Sequence, residues 1–383
     1  MMTIGHFEPA YFLRCHSKNK DSADVQTQVW HCSFEPSVDS ISSRVATCGG
    51  NSVCVIDCNS GSVLSKFYTK TENILFALAW GTICINRRPS NVIMCGGAKA
   101  TIYTLDPTSN KCLLVHSFVQ NRNKISLNSL VFHPREKSIF FCALSDGEIK
   151  CCEVLEDENR QFFLTVYNEL STSSEIFDLS FCIETQSLFA SFDQGLHLFH
   201  FKDGISFKCK NRPEHKILNL PKNPNSVHSQ TDTKLVDSVE SLNDGFFACK
   251  CALHGKIYIC DTKPIIKTNS NIVDITPVKI LNWSLTDNYF MYMGVSPDKT
   301  ILGCGDDKGA LWLYDLCNET SIKDADIIIP WPSLIDHYND KKRKLALQTY
   351  DIVVDKIAIS FDKKYIVAVT NNNFVCIWKN TEL

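Results

Sequence analysis

Long apolar runs are missing from this sequence. No stretch reaches the ~18 residues that a membrane-spanning helix requires, which excludes that class of membrane protein. Residues 1–9 contain neither the basic nor the apolar part of a secretory signal, so we expect no secretion. Methionine is scarce, with 5 residues against 23 phenylalanines. Hydrophobic residues nevertheless make up 44% of the chain and charged residues 21%, which is typical of a folded globular protein.

An excess of charge of either sign is also absent. The formal net charge is −3, so no overall positive field is available to hold nucleic acid through its phosphates. We therefore expect no direct sequence-specific binding of nucleic acid. Catalytic motifs are missing as well, including G-x-S-x-G, the phosphate-binding lysine loop and H-E-x-x-H. The sequence thus predicts a protein that is not an enzyme and has no cofactor.

Cysteine, in contrast, is abundant. The chain has 19 cysteines, and several occupy inward positions of apparent strands: Cys54, Cys95, Cys142, Cys304 and Cys376. A free cysteine is a small, often buried hydrophobic residue, and a reducing compartment keeps it in that state. Zinc sites use paired C-x-x-C ligands with a second pair downstream, and no such set is present. We therefore predict buried thiols and no metal site.

A recurrent unit of roughly 45 to 60 residues runs through the sequence. Each copy has an apolar stretch, a turn, a second apolar stretch that ends in small residues, a Gly or Asp turn, and a third strand with an aromatic residue near its end. The clearest copy spans residues 289–316. Alternation with a period of two, together with these turn residues, predicts short β-strands. Helical periodicity does not compete, so the fold class is all-β.

Seven copies predict a seven-bladed WD-repeat β-propeller that forms a single domain over residues 1–383. Each blade of a propeller buries its faces against its neighbours, which lets so long a chain fold as one domain. The last copy lacks a fourth strand, whereas an extra strand, 11–17, precedes the first copy. We expect strand 11–17 to pair with strand 374–379 and to close the propeller. The predicted blades span 26–68, 72–118, 125–168, 174–220, 234–284, 287–332 and 350–383.

The second residue of each first strand forms the most informative pattern. In a propeller these strands line the channel, so their early side chains gather at its mouth. The seven residues are Trp30, Phe76, Asn128, Phe177, Asp237, Met291 and Asp355. Aromatic faces with acidic groups nearby attract a quaternary ammonium ion, as in methyl-lysine cages. We identify Trp30, Phe76, Met291 and Tyr292 as cage candidates; the alternative is that these side chains pack between blades.

Two further clusters of charge have simpler interpretations. Asp306, Asp307 and Asp315 form a possible carboxylate cluster, but they lie in turns, where aspartate bonds its own backbone, and we prefer that interpretation. The basic run Lys341, Lys342, Arg343 and Lys344 lies in a loop and is compatible with a nuclear import signal.

Several segments resemble the WD-repeat half of the leucine-rich repeat and WD repeat-containing protein associated with the origin recognition complex. They include FLRCHSKN (12–19), VATCGGNSVCVIDCNSGSVL (45–64), GVSPDKTILGCGDDKGALWLYD (294–315) and NNNFVCIW (371–378). The resemblance implies a nuclear, chromatin-associated protein that engages origin recognition complex subunits and trimethyl-lysine on histone tails. It also implies roles in the initiation of DNA replication and in heterochromatin organisation. The leucine-rich repeat half of that family is not part of this sequence.

That family is similar in turn to the Polycomb propeller subunit, the embryonic ectoderm development protein, whose aromatic cage holds trimethyl-lysine. Phe76 and Tyr292 match two tyrosines of that cage. Met291 stands where the cage has tryptophan and Cys32 where it has phenylalanine, while Trp30 lies two residues from Cys32 on the same strand. The resemblance therefore implies a partial cage with a weaker affinity for methyl-lysine.

The sequence thus favours a non-catalytic chromatin scaffold. The alternative is a general WD-repeat adaptor, such as the substrate receptor of a ubiquitin ligase. That class uses a WD-x-R type of docking motif, whereas the third strands of this chain end in WLYD (312–315) and CIWK (376–379) without the arginine. A propeller alone does not decide between these functions.

Overall fold

Seven β-sheets account for nearly all of the secondary structure. The computed structural model describes residues 4–18, 21, 23–36, 42–69, 73–119, 124–202, 212–224, 234–251, 253–318, 320–332 and 352–383. The fold is a seven-bladed β-propeller closed by an N-terminal strand, as predicted. No helix of the described part is both long and apolar enough to cross a membrane.

The strands of blades 1 to 4 follow one another along the chain. The first strand, β1, spans Phe7–Leu13. Blade 1 contains β2 (Val29–Phe34), β3 (Arg44–Gly49), β4 (Ser52–Asp57) and β5 (Ser62–Tyr68). Blade 2 contains β6 (Leu75–Ile85), β7 (Arg88–Gly97), β8 (Thr101–Asp106) and β9 (Lys111–Ser117). Blade 3 contains β10 (Leu127–Phe132), β11 (Ile139–Leu144), β12 (Glu148–Glu156) and β13 (Phe162–Ser171). Blade 4 contains β14 (Asp178–Cys182), β15 (Ser187–Phe192), β16 (Gly195–His200) and β17 (Glu214–Asn219).

Blades 5 to 7 include the short elements of the fold. Blade 5 begins with β18 (Val236–Ser241), β19 (Phe246–Cys251) and β20 (Lys256–Asp261). After it come helix α1 (Thr262–Lys267), β21 (Ile272–Asp274) and β22 (Lys279–Asn282). Blade 6 contains β23 (Gly294–Val295), β24 (Ile301–Gly305) and β25 (Leu311–Asp315), and then β26 (Ile322–Lys323) precedes its outer strand β27 (Ile327–Ile329). Blade 7 contains β28 (Val354–Ile359), β29 (Tyr365–Thr370) and β30 (Val375–Asn380).

The chain forms two compact units. Unit 1 comprises Met1–Ile74, Met291–Glu319 and Asp324–Leu383, and it holds blades 1, 6 and 7. Unit 2 comprises Leu75–Phe290 and Thr320–Lys323, and it holds blades 2 to 5. The single domain predicted over residues 1–383 stays a prediction.

The closing strand of blade 7 is the main correction to the predicted strand bounds. In unit 1, β1 pairs antiparallel with β30, from Phe7 opposite Asn380 to Leu13 opposite Val375. The predicted partner is therefore confirmed, but the strand spans 7–13 rather than 11–17. Pro9 fits because β1 is an edge strand with a register irregularity between Pro9 and Tyr11, where a missing N–H is tolerated.

Blades 4 and 5, both in unit 2, each have a fifth strand beyond the four that are usual for a propeller blade. Strand β21 adds in parallel to β17, and β26 adds in parallel to β22. Helix α1 precedes β21 and begins after Asp261, whose carboxylate accepts a hydrogen bond from the Lys263 N–H at 2.9 Å. The all-β interpretation did not include this short α-helix, which has an ordinary aspartate N-cap.

Each unit has its own apolar core between blades. In unit 1, Trp378 of β30 is fully buried and meets the Phe12 ring edge-on, with centroids 5.4 Å apart. In unit 2, the rings of Phe189 and Phe247 lie 4.4 Å apart between blades 4 and 5. The five inward cysteines of the prediction are free thiols with no exposed surface. Their burial confirms that cysteine serves mainly as a small core residue here.

Candidate functional site

The predicted site residues share a backbone feature that the sequence did not reveal. In blades 1, 2, 3, 5 and 7, the register between the first and second strands shifts immediately after the first residue of the blade. Such a β-bulge leaves one residue without a partner and re-aims its side chain. The bulged residues are Trp30, Phe76, Asn128, Asp237 and Asp355. Five of the seven aligned positions are therefore structurally equivalent.

In unit 1, the three predicted cage residues differ sharply in exposure. Trp30 is half-buried. The exposed fraction of Tyr292 is 8%, and that of Met291 is 0%. The assignment of Met291 to a ligand-binding wall therefore needs correction, because a fully buried side chain cannot contact a ligand at the surface. The alternative interpretation, packing inside the protein, describes Met291.

Tyr292 already has a cation beside it. The Lys356 ammonium lies 6.0 Å from the centroid of the Tyr292 ring and donates to the Met293 carbonyl at 2.5 Å. A second cation about 7 Å from this ammonium would be repelled by about 2 kcal/mol at an effective dielectric constant of ~20. A cation–π contact contributes about as much. Lys356, which the sequence did not single out, therefore opposes cation binding at Tyr292.

Asp355 does not supply the negative charge expected of it. Its carboxyl group is buried; one oxygen accepts a hydrogen bond from the Gln28 amide at 2.9 Å, and the other has no hydrogen-bond partner. Burial raises the pKa of Asp355 well above its ordinary value, and the Gln28 hydrogen bond only partly opposes this. Burial, with help from the charge of Lys356, lowers the pKa of His31. Both groups therefore favour their neutral forms.

In unit 2, the equivalent acid is neutralised in another way. Asp237 and Lys250 form an ion pair with both side chains at 0% exposure, and the ammonium lies 2.7 and 2.5 Å from the two carboxylate oxygens. The same ammonium lies 4.7 Å from the Trp283 ring centroid. The expectation that Asp237 and Asp355 add negative charge around a bound ammonium ion was therefore wrong, because both are interior groups.

The remaining aligned residues of unit 2 separate into accessible and packed side chains. Phe76 is half-buried in β6. Phe177 is buried and meets Phe290 edge-on, with ring centroids 5.3 Å apart. The Asn128 amide donates to the Ile176 carbonyl and to the Glu175 carboxylate, each at 2.9 Å. Phe76 is thus the accessible aromatic residue among the bulge positions of this unit.

The other sequence candidates are structural or lie elsewhere. Asp306 accepts hydrogen bonds from the Lys308 and Ala310 N–H groups and from the Trp312 indole, which confirms its interpretation as a turn residue. The Asp315 carboxylate likewise accepts from the Cys317 N–H at 2.9 Å. The basic run at residues 341–344 lies outside the described residues.

A comparison with protein families decides the family. The profile of the WD domain of leucine-rich repeat and WD repeat-containing protein 1 matches residues 2–381. The chain belongs to this WD-domain family. The resemblance of its sequence segments to that family is thereby confirmed.

Curated relatives carry the same family name. The chain is 27% identical to leucine-rich repeat and WD repeat-containing protein 1 of Xenopus laevis over 401 residues, which covers 98% of this chain and 53% of that protein. The Danio rerio protein is 29% identical, with 97% and 50% covered, and the Homo sapiens protein is 25% identical, with 97% and 57% covered. The chain therefore spans about half the length of the curated relatives it matches.

Solved structures show the same fold. A chain of a humanized mutant of the Chaetomium thermophilum Polycomb Repressive Complex 2 superimposes with a TM-score of 0.73 at 12% identity, with 99% of each chain covered. A chain of the structure titled "ctPRC2 in complex with H3K27me3 and H3K27M" gives a TM-score of 0.71 at 11% identity, with 98% of each chain covered. The more distant similarity of this WD-domain family to the Polycomb propeller is thus also found in the fold.

Proposed function

We propose that this WD domain is a non-catalytic, chromatin-associated scaffold in the nucleus. In this proposal it binds subunits of the origin recognition complex and histone tails with trimethyl-lysine, and it supports replication initiation and heterochromatin organisation. The observation that carries the proposal is the family match. It extends from residue 2 to residue 381 and is therefore more specific than a match to individual WD repeats. The histone part is supported by the ctPRC2 structure solved in complex with H3K27me3, one chain of which has the same fold.

We assign one candidate contact for trimethyl-lysine in each unit, and each is considered by itself. In unit 1 we assign Trp30, because Met291 is buried and Lys356 opposes a second cation at Tyr292. In unit 2 we assign Phe76. Each of the two residues is a half-buried aromatic at a β-bulge, so its ring is re-aimed away from the strand pairing. Each ring offers a face for a cation–π contact.

Binding of peptides tests the histone part. We expect Phe76→Ala and Trp30→Ala each to weaken the binding of trimethyl-lysine histone H3 peptides by about 2- to 30-fold, which corresponds to about 0.5–2 kcal/mol per aromatic face. Phe76→Tyr keeps an aromatic face and should bind like the parent. Val115→Ala, which shortens a side chain that is 58% exposed on the outer strand β9, is the control for loss of apolar surface. Equal affinity of all four variants, or equal affinity for unmethylated peptides, would remove the histone part.

Affinity purification from nuclear extract tests the scaffold part. The intact chain should recover origin recognition complex subunits with or without Phe76→Ala, because that interaction is not assigned to the aromatic residues. Recovery of cullin subunits instead would favour the ubiquitin-ligase adaptor. Recovery of neither would contradict the scaffold part, and the histone part would then depend on the peptide measurements alone.

A further inference from the structure

Blade 1 holds a group of reactive side chains apart from the β-bulges. Cys15, which follows β1, His16 and Cys54 of β4 place one donor atom each within 4.8 Å of one another. No other group of three metal-ligating side chains comes so close within the described part of the chain. All three residues belong to unit 1. The group therefore needs a chemical explanation of its own.

The histidine of this group has a structural task. Its two ring nitrogens lie 2.9 Å from the Ser52 hydroxyl and 2.8 Å from the Thr47 hydroxyl. Its backbone N–H donates to the Asn373 side chain at 3.3 Å, which ties the segment after β1 to the turn before β30. A metal ion would have to displace one of the hydroxyl contacts and to bind beside the Lys66 ammonium. These contacts favour chemistry of the two sulfur atoms over metal binding.

The two sulfur atoms have unequal surroundings. Cys54 lies in the middle of β4 with 0% exposure, whereas Cys15 is partly exposed. The Cys54 thiol lies 3.5 Å from the Cys15 carbonyl oxygen, and the Lys66 ammonium donates to that same oxygen at 2.5 Å. The sulfur of a partly exposed residue thus lies within 4.8 Å of a buried sulfur, and the Lys66 ammonium lies beside the backbone of Cys15.

The charges of the site separate the two thiols chemically. A hydrogen bond from Cys54, supported by His16 and Lys66 against the opposing effect of burial, holds the pKa of Cys15 well below its ordinary value. The same hydrogen bond, together with burial, raises the pKa of Cys54. Burial instead raises the pKa of Cys32 to about 12. A thiolate of lowered pKa in a partly exposed residue, beside a protonated thiol, is the arrangement of redox-sensitive cysteine pairs.

We propose that Cys15 and Cys54 are a modification site at which hydrogen peroxide forms a disulfide. The Cys15 thiolate attacks one peroxide oxygen, the O–O bond breaks, and the departing hydroxide takes up a proton to become water. The Cys54 sulfur then attacks the sulfur of the resulting sulfenic acid, the S–O bond breaks, and the departing hydroxide takes up the Cys54 proton and leaves as a second water. Each sulfur is oxidised by one electron and the peroxide is reduced to two waters.

The backbone lets one partner move toward the other. Cys54 is fixed by pairing on both sides of β4, opposite Thr47 and Lys66. Cys15 lies beyond the end of β1, in a segment without strand pairing. Formation of the bond therefore needs adjustment mainly at Cys15. The disulfide would join the segment after the closing strand to blade 1.

Peptide mapping after peroxide treatment tests the proposal. The intact, reduced chain is exposed to one equivalent of hydrogen peroxide, alkylated and digested, and we expect Cys15–Cys54 to be the main disulfide. In Cys54→Ser the Cys15 sulfenic acid should persist and react with a sulfenic-acid probe. Lys66→Met should slow the oxidation of Cys15 several-fold at neutral pH, because it removes a cation beside the thiolate. Cys112→Ser, which removes an exposed thiol whose pKa burial raises, is the matched control and should leave the reaction unchanged.

Two results would overturn the proposal. One is oxidation of Cys112 at least as fast as that of Cys15 in the parent chain. The other is oxidation of Cys15 to a sulfinic acid with Cys54 still a thiol. Both readouts use the parent chain, so they stand even where a serine variant fails to fold.

Discussion

Asp237 and Asp355 occupy equivalent β-bulges in different blades, but different neighbours surround their carboxyl groups. Asp237 meets the Lys250 ammonium, whereas Asp355 meets the Gln28 amide on one oxygen and no hydrogen-bond partner on the other. Removing a charge from water costs several kcal/mol unless a partner compensates. The pair in blade 5 therefore consists of two charges, while the lone acid in blade 7 favours its protonated form.

The unpaired carboxyl group of Asp355 should make the free energy of unfolding depend on pH. The pKa of Asp355 is raised in the folded state, so the protonated carboxyl group favours folding. Its contribution to the free energy of unfolding is fully present below the unfolded pKa of about 4 and is lost as the pH rises toward the folded pKa. Asp355→Asn, which mimics the protonated form, should match the parent near pH 4 and exceed its free energy of unfolding by at least about 1 kcal/mol at pH 7. Urea denaturation across this range measures the gap, and a gap that does not change with pH would contradict the raised pKa.

The ion pair predicts an asymmetric response to substitution. Asp237→Ala leaves the Lys250 ammonium buried without its counter-charge, so we expect a loss of about 3–5 kcal/mol in the free energy of unfolding. The double variant Asp237→Leu, Lys250→Met removes both charges and should recover most of that loss. Urea denaturation of the parent and both variants provides the comparison. A single variant within about 1 kcal/mol of the parent would mean that the ammonium reaches water.

At the scale of elements, the first strand of blade 6 is the least regular of the seven. Only Gly294 and Val295 form strand β23, and Tyr292 reaches β28 through an isolated parallel bridge to Lys356. Gly294 and Gly303 are opposite each other across β23 and β24. A Cβ atom at Gly294 would lie 2.0 Å from the backbone oxygen of Ile357. Glycine there permits blades 6 and 7 to approach closely.

Substitution of Gly294 and Gly303 by alanine tests whether the close approach of the Ile357 backbone, rather than any added side chain, destabilises the protein. Gly294→Ala forces a backbone carbonyl to move, and we expect it to destabilise the protein by more than about 3 kcal/mol. Gly303→Ala meets only side-chain atoms, at 3.2 and 3.3 Å, and should cost about 1 kcal/mol or less. Thermal melting of both variants is sufficient, and equal melting temperatures would contradict the structural explanation.

The sequence pattern predicted the strands well but not the features that depend on tertiary contacts. Alternation of apolar residues and turn chemistry located seven blades and the partner of the closing strand. The same pattern aligned Trp30 with Phe76, yet it could not show which aligned side chains face the interior, as Met291 does. Lys250 alternates along β19 like a solvent-facing residue, and only the approach of Asp237 explains its burial. The meeting of Cys15 and Cys54 likewise depends on chain positions that are distant in sequence.

At the scale of the whole molecule, closure of blade 7 depends on the first strand of the chain. Strand β1 supplies the outer hydrogen-bonded edge of β30, and Phe12 packs on Trp378 and Trp331. Without β1, these aromatic surfaces and the edge of β30 face water. An exposed strand edge is also a template for pairing with other chains.

Deletion of residues 1–18 should therefore be strongly destabilising. From the lost apolar contacts and strand pairing we expect a cost of more than about 5 kcal/mol, together with a tendency to aggregate. Deletion of residues 1–3, which leaves β1 intact, is the control. Melting temperature and light scattering report both effects, and a chain without residues 1–18 that melts like the control would show that β1 is dispensable.

The pairing of the first and last strands also has a mechanical consequence. Phe7 and Asn380 are opposite each other at one end of the β1–β30 ladder, so a force applied between the two ends of the chain meets a single rung first. The hydrogen bonds between β1 and β30 would therefore break one after another. In a shear geometry, by contrast, all of them would bear the force at the same time. Pulling on the two ends should thus peel β1 from the propeller at low force, before the remaining blades yield.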